Sequence, residues 1–146
     1  MTDYVLDIDF DANKGGWQAP VIKPLEELQI DPSNVTLHYS IECFEGLKAY
    51  ITHDKSKVQM FRADKNCLRM LSSHAQLGLA PFDPNELLEC MKELLRIEKD
   101  WIPLKPFHSM YIRPTSIAMD NRLGLGKVTK AKTFVLLSPV GPYFPQ

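Results

Sequence analysis

The chain has 146 residues, 45% of them hydrophobic, and a formal net charge of −1. That length supports one domain with a sizeable core, and the near-neutral balance gives no electrostatic basis for nucleic acid or an anionic membrane as a partner. Cys43, Cys67 and Cys90 are odd in number, widely spaced and without a CxxC pair, and the four histidines do not cluster with them, so a reducing compartment is expected, with neither a disulfide framework nor a metal site.

No apolar run is long enough to span a membrane. The start, MTDYVLDIDF, has no positive segment before its apolar residues and is acidic rather than arginine-rich, so it reads neither as a signal peptide nor as a mitochondrial presequence. A cytoplasmic location is expected, or a mitochondrial one if a presequence has been removed.

Tyr4–Phe10 alternates as YVLDIDF and predicts a strand. NKGGW turns the chain, and Pro20 and Pro24 keep the next stretch extended. Asp31, Pro32 and Ser33 open a short helix through Leu37, with Pro32 at its first position. The segment LHYSIECFEGLKAY, Leu37–Tyr50, follows no single period: Leu47, Ala49 and Ile51 alternate with Lys48 and Tyr50, whereas the part before Gly46 does not alternate. Gly46–Thr52 and Val58–Phe61, joined by HDKSK, predict a hairpin.

Two helices follow. Asp64–Leu79 carries Cys67, Leu68, Leu71, Ala75 and Leu77 near helical spacing. Asp83–Glu98 has Asp83 as N-cap, Pro84 at the first helical position and Glu86 placed for a capping box, ahead of a stripe of Leu87, Leu88, Met91, Leu94 and Leu95. Ser109–Ala118 and Lys132–Val140 predict two closing strands, separated by a loop that contains MDNRLGLGK. The elements add up to an α+β fold, a largely antiparallel sheet with two main helices packed on one face. The last stretch, KTFVLLSPVGPYFPQ, is punctuated by Gly141, Pro142 and Pro145 and reads as an exit from a domain, so the chain is expected to be a fragment of a longer protein.

The chemistry-bearing residues leave alternatives open when taken singly. Tyr111 and Arg113 in SMYIRPTS share one face of a strand. They either bind a carboxylate or phosphate or form a solvent-facing polar row over a core of Met110 and Ile112. Arg69, among Leu68, Met70 and Leu71, either snorkels to the surface or is held by an anion. RLGLG is either a phosphate cradle or a flexible connection, and its Leu123 and Leu125 need an apolar surface to cover them. There is no GxSxG, HExxH or Walker loop, and Glu42, Glu45, Glu86 and Glu89 read as ordinary carboxylates.

In combination the segments are more specific. LHYSIECFEGLKAY resembles the segment of branched-chain amino-acid aminotransferases that reads LHY, four variable residues, then FEG and a short strand. MFRADKNCLRM, FDPNELLECMKELLRIEKDWIP, SMYIRPTSIA, LGLG and FVLLSPVGPYF follow in that family's order. The family comprises fold-type IV pyridoxal-phosphate enzymes, sharing their fold with D-amino-acid transaminases and aminodeoxychorismate lyases. The resemblance implies that residues 1–146 are an N-terminal small domain. It also implies a C-terminal domain carrying the catalytic lysine, a homodimer, and branched-chain amino acids and 2-oxo acids as substrates.

By the same resemblance Arg69 binds the phosphate of pyridoxal 5'-phosphate, and Phe44 lines the substrate side-chain pocket. Tyr39, Leu123 and Leu125 are lent to the neighbouring subunit's pocket. Tyr111 and Arg113 orient polar groups and the substrate carboxylate. An aliphatic substrate side chain has no polar handle, so Phe44, Tyr39 and the two leucines read as wall material. Gly46 lets the strand pass close to a ligand or another backbone, and Glu45 reads as structural, holding a local turn. Three departures stand out. Ala63 replaces the proline of the family's FRP, Met1 aligns with an aromatic of the pocket wall, and MDNRLGL differs from the commoner EPSLGV-type loop. No catalytic residue is expected within this chain, which by itself should be inactive. The runners-up are a D-amino-acid transaminase or aminodeoxychorismate-lyase-like enzyme, and a non-catalytic small-molecule-binding or dimerisation module.

Overall fold

The structure, a computed structural model, describes residues 1–142; the last residues of the FVLLSPVGPYF motif lie outside them. Eight strands form one sheet in which every pairing is antiparallel. They are β1 (Tyr4–Asp11), β2 (Gly16–Trp17), β3 (Val21–Pro24), β4 (Glu42–Phe44), β5 (Leu47–Ile51), β6 (Val58–Met60), β7 (Ser109–Ala118) and β8 (Lys130–Val140). The order runs β2-β1-β8-β7-β5-β6, with β3 on β1 and β4 on β7. The helices are α1 (Val35–Tyr39), α2 (Ala63–Leu77) and α3 (Pro84–Ile97).

The period-2 alternation of the strands divides the sheet into two faces. Leu6, Ile8, Leu47, Ala49, Met110, Ile112, Val135 and Leu137 point to one side, where they meet Ala63, Cys67 and Met70 of α2 and Leu87, Met91, Leu94 and Leu95 of α3 in one core cluster. Both main helices therefore lie on that face, as the sequence pattern predicts. The helix termini follow from local chemistry. Asp83 accepts from the Asn85 N–H at 2.8 Å, and Pro84 starts α3 where its missing N–H costs nothing. Glu86 sits in the first turn of α3 as an acid, where it favours the helix dipole. Gly78 closes α2 in the left-handed conformation, φ 69°.

Three elements differ from the sequence reading. The short helix starts later, because the Asp31 carboxylate is occupied by Ser33 in a local turn, and the cap is Asn34, whose Oδ1 accepts from Thr36 N–H. The stretch around Pro20 and Pro24 is a paired strand, β3, held on β1 from Tyr4↔Pro24 to Asp7↔Val21. Glu42–Phe44, which shows no alternation in sequence, is a strand on β7.

The loop after β7 is tied to α1. Val35 N–H donates to the Asp120 carbonyl, Arg122 N–H to the Ser33 carbonyl, and Asn34 bridges to Asn121. Asp120 anchors this junction from a buried position, accepting from Thr129 N–H at 3.0 Å and Lys130 N–H at 3.2 Å and pairing with Arg122 at 3.0 Å. Burial pushes its carboxyl up, but the Thr129 hydroxyl, those backbone donors and the guanidinium outweigh burial and hold it below the usual range. Its stabilising contribution is therefore complete above the unfolded aspartate value of ~3.9 and is lost as pH falls through the lower folded value. Asp120→Ala should cost about 1–3 kcal/mol at pH 7 by stranding these donors. Urea midpoints of variant and parent should differ at neutral pH and draw together in strong acid.

Candidate functional site

β4 and β5 are two pieces of one line. Phe44 faces Thr115 and Leu47 faces Ile112, so the register on β7 is unbroken across Glu45 and Gly46. Glu45 N–H donates to the Pro114 carbonyl at 2.9 Å, but Pro114 has no N–H to return, and the ladder loses one rung there. Alternation then sends Phe44 and Gly46 to the face away from the helices and Glu45 to the helix side.

On the open face, Arg113 Nη2 donates to Tyr111 Oη at 2.6 Å. The guanidinium carbon lies 4.2 Å from the Phe44 ring centroid and 5.1 Å from that of Tyr111, within cation–π range of both. The structure thus brings Phe44, Tyr111 and Arg113 into one cluster. Phe44 is 60% exposed, and Arg113 Nε is buried without a hydrogen-bond partner among the described residues. A guanidinium stacked on an aromatic ring and short of an acceptor is equipped to take an anion.

The other half of this face is occupied. Residues 25–28 lie over β1 and β8 and enclose a cavity of 170 Å³ against Val5, Phe134 and Leu136. Beside it Lys132 pairs with Asp7 at 2.5 Å and Asp9 at 2.8 Å, and Lys23 with Asp7 at 2.7 Å. Burial pushes the Lys132 ammonium down, but the two carboxylates outweigh it and hold the pKa above its ordinary value. A larger groove of 820 Å³, lined by Tyr50, Phe61, Arg62, Leu88, Lys92 and Arg96 among others, lies apart and contains none of the expected site residues.

Arg69 stands on the helix side. Its Nε and Nη2 donate to the two oxygens of Glu45 at 2.6 and 2.5 Å, and Asn66 Nδ2 adds a third bond to the same carboxylate at 3.0 Å. Glu45 is 5% exposed whereas the Arg69 side chain is 67% exposed. Burial raises the Glu45 carboxyl, yet its bonds to Arg69 and Asn66 prevail and keep it below the usual range. Glu45 therefore pins the guanidinium by one edge. Nη1 has no partner among the described residues, and an exposed, oriented edge of this kind suits a phosphate group. The sequence shows Glu45 and Arg69 but not their pairing, because the partners are 24 residues apart on different elements.

Tyr39 ends α1, and Leu123 and Leu125 lie in the loop between β7 and β8. The two leucines are 75% and 82% exposed and touch neither cluster's hydrogen-bond network. The thiols do not offer a nucleophile: burial, reinforced by neighbouring carboxylates, pushes Cys43 and Cys67 up to about 11. Among the described residues no grouping of three or more His, Cys, Asp or Glu can hold a metal ion, and no helix is long and apolar enough to cross a membrane.

The fold matches that of part of known aminotransferases. It superposes with TM-score 0.73 on a T.th. branched-chain amino acid aminotransferase solved with pyridoxamine 5'-phosphate, at 26% identity, covering 100% of this chain and 42% of that one. In sequence the chain is homologous over nearly all its length to branched-chain-amino-acid aminotransferases. It is 45% identical over 144 residues to the cytosolic protein of Ovis aries and 46% identical over 145 residues to the mitochondrial protein of Rattus norvegicus, in each case over 99% of this chain. It spans 37% and 36% of the length of those relatives. No protein-family model matches the chain.

The Glu45–Arg69 pair gives a pH-dependent test. Glu45 contributes stability above the unfolded glutamate value of ~4.3, lost as pH falls through its lower folded value. In Arg69→Ala the buried carboxylate loses its largest source of stabilisation, so its pKa rises and charge at neutral pH becomes a cost. Urea unfolding should therefore show the variant weaker than the parent at pH 7, with the gap narrowing in acid as Glu45 protonates. A gap that widens in acid would contradict the assigned pairing.

Proposed function

We propose that the protein containing this chain is a pyridoxal-phosphate-dependent branched-chain aminotransferase, and that residues 1–146 are its N-terminal small domain. It would exchange an amino group between leucine, isoleucine or valine and 2-oxoglutarate, giving branched 2-oxo acids and glutamate. The observation that carries this reading is 45% identity along 99% of the chain to aminotransferases of more than twice its length. The solved structural relative with pyridoxamine 5'-phosphate supports the cofactor class.

When bound, pyridoxal phosphate supplies the electrophilic carbon and electron-withdrawing ring through which amino groups are exchanged. The residues present fit it. Arg69, oriented by Glu45, binds the phosphate through its exposed edge. Phe44 supplies an apolar wall for the substrate side chain, and Tyr111 and Arg113 orient the substrate's polar groups and carboxylate. Tyr39, Leu123 and Leu125 complete the pocket of a neighbouring subunit in a homodimer, which accounts for two leucines standing exposed in a loop. The base that moves the proton is a lysine of the C-terminal domain. Lys132, half-buried on the open face, is held charged by Asp7 and Asp9 and is a poor base.

The full-length protein with cofactor should form glutamate from leucine and 2-oxoglutarate, and residues 1–146 by themselves should form none. Turnover of D-alanine without leucine would replace this reading with that of a D-amino-acid transaminase. Arg69→Ala in the full-length enzyme should weaken cofactor binding roughly ten- to hundredfold, the range of one charge-assisted contact, while leaving the order of substrates unchanged. Titration of the apo-enzyme measures it.

Leu123→Ala removes two or three methylene-sized contacts of about 0.8 kcal/mol each from an aliphatic substrate. Leucine should therefore lose more kcat/KM than glutamate. Pairing a Leu123→Ala subunit with one lacking the catalytic lysine leaves one working site, whose loop in trans is intact. Leucine activity should persist there, and a full Leu123→Ala defect would place the loop in its own subunit's site.

A further inference from the structure

We propose that Gly46 is a positioning residue for the Phe44–Tyr111–Arg113 cluster. Its missing side chain leaves the seat in which the Tyr111 phenol lies, and the phenol in turn holds the Arg113 guanidinium against the Phe44 ring. The proposal deepens the functional reading above and rests on it for the link to substrate.

A Cβ placed on Gly46 would stand 2.2 Å from Tyr111 Oη, 3.0 Å from Cζ and 3.3 Å from Cε2. Gly46 is not among the glycines with positive φ, which are Gly15, Gly16 and Gly78. An alanine could adopt its backbone conformation, so glycine is needed here for space alone.

The backbone cannot withdraw to make that space. Glu45 N–H is bonded to the Pro114 carbonyl at 2.9 Å, Leu47 is paired with Ile112, and the Gly46 carbonyl accepts from Asn66 Nδ2 at 3.4 Å. The Glu45 side chain is anchored to Arg69 from the opposite face. A methyl group at position 46 must therefore displace the phenol. Arg113 would lose the hydroxyl that accepts from Nη2 at 2.6 Å, and its Nε already has no partner among the described residues. Nothing then fixes the guanidinium 4.2 Å over Phe44.

The test is Gly46→Ala in the full-length holoenzyme, with Tyr111→Ala and the double variant. Gly46→Ala should raise KM for the dicarboxylate 2-oxoglutarate about tenfold or more, as loss of one oriented charge-assisted contact does, with a smaller change in kcat. In the Tyr111→Ala background the same substitution should add nothing further, because no phenol remains to be displaced. An equal, additive effect in both backgrounds would overturn the proposal, and so would an unchanged KM in the single variant. Should Gly46→Ala fail to fold, recovery of folding in the double variant supports the seat, and failure of both refutes it. A crystal structure of Gly46→Ala decides the geometry independently of activity. Tyr111 Oη should move by about 1 Å, enough to bring a 2.2 Å overlap toward ordinary contact, and an unmoved phenol overturns the claim. If the parent enzyme transaminates nothing, the functional reading falls while this structural comparison still decides the role of Gly46.

Discussion

The register of Phe44–Ala49 against β7 is the constraint on which the site depends. It passes unbroken through Glu45 and Gly46, although Pro114 removes one rung of the ladder. Because register holds, three consecutive residues acquire three different tasks from alternation alone. Phe44 stacks under Arg113 on the open face, Glu45 grips Arg69 on the helix side, and Gly46 leaves room above itself for Tyr111. A slip of one residue would exchange the faces. It would bury the Phe44 ring among the helices and carry the Glu45 carboxylate into the Arg113 cluster, where the two would neutralise each other.

The two faces are energetically unlike. The helix side is a packed apolar core in which Met70, Met91, Leu94, Met110 and Ile112 are almost fully buried, and it supplies the rigidity that fixes the strand positions. The open side is only half covered. Residues 25–28 close over β1 and β8, and paired charges of Asp7, Asp9, Lys23 and Lys132 satisfy one another beside them. Along β7 and β4 the cover is uneven: Ile117 is buried, whereas Phe44 stands exposed. Beside the exposed Phe44 ring, the Arg113 guanidinium has its Nε without an acceptor among the described residues. The helix side thus fixes the strand positions, and the open side carries the Phe44–Tyr111–Arg113 cluster.

What could be read in the sequence divides along the same line. α3 was legible to its ends because Asp83, Pro84 and the apolar stripe act within a few residues of each other. The shared face of Tyr111 and Arg113 was legible because period 2 is a local property of a strand. β4 was not, since its three residues are too few to show a period and are fixed by pairing with residues some seventy positions away. The start of α1 was misplaced because two acceptors three positions apart, Asp31 and Asn34, compete for capping roles, and only the fold shows that Ser33 occupies the first. Arg69 was legible as an odd arginine, and its two possible fates proved not to be exclusive. It does reach the surface, and it is held there by an anion, Glu45. The fit of Tyr111 over Gly46 had no sequence signal beyond the glycine itself.

Glu45 under Arg69 looks at first like a poor arrangement for binding an anion, since a carboxylate beside the guanidinium weakens its pull on a second negative charge. The geometry resolves this. A free arginine on a surface helix samples many rotamers, and a ligand that needs one of them must supply the ordering entropy. Glu45, buried and fixed by both Arg69 donors and Asn66, supplies it beforehand. Through-space attraction from an exposed cation is in any case screened over about 8–10 Å at physiological salt, so the long-range loss is small. What remains is a short-range guanidinium edge of fixed direction. Arg113 is oriented by different means, through a phenol and an aromatic face rather than a carboxylate, and so keeps its full charge. The chain thus holds one partly neutralised, rigid cation beneath the sheet and one unneutralised cation above it, separated by the single strand that carries Phe44, Glu45 and Gly46.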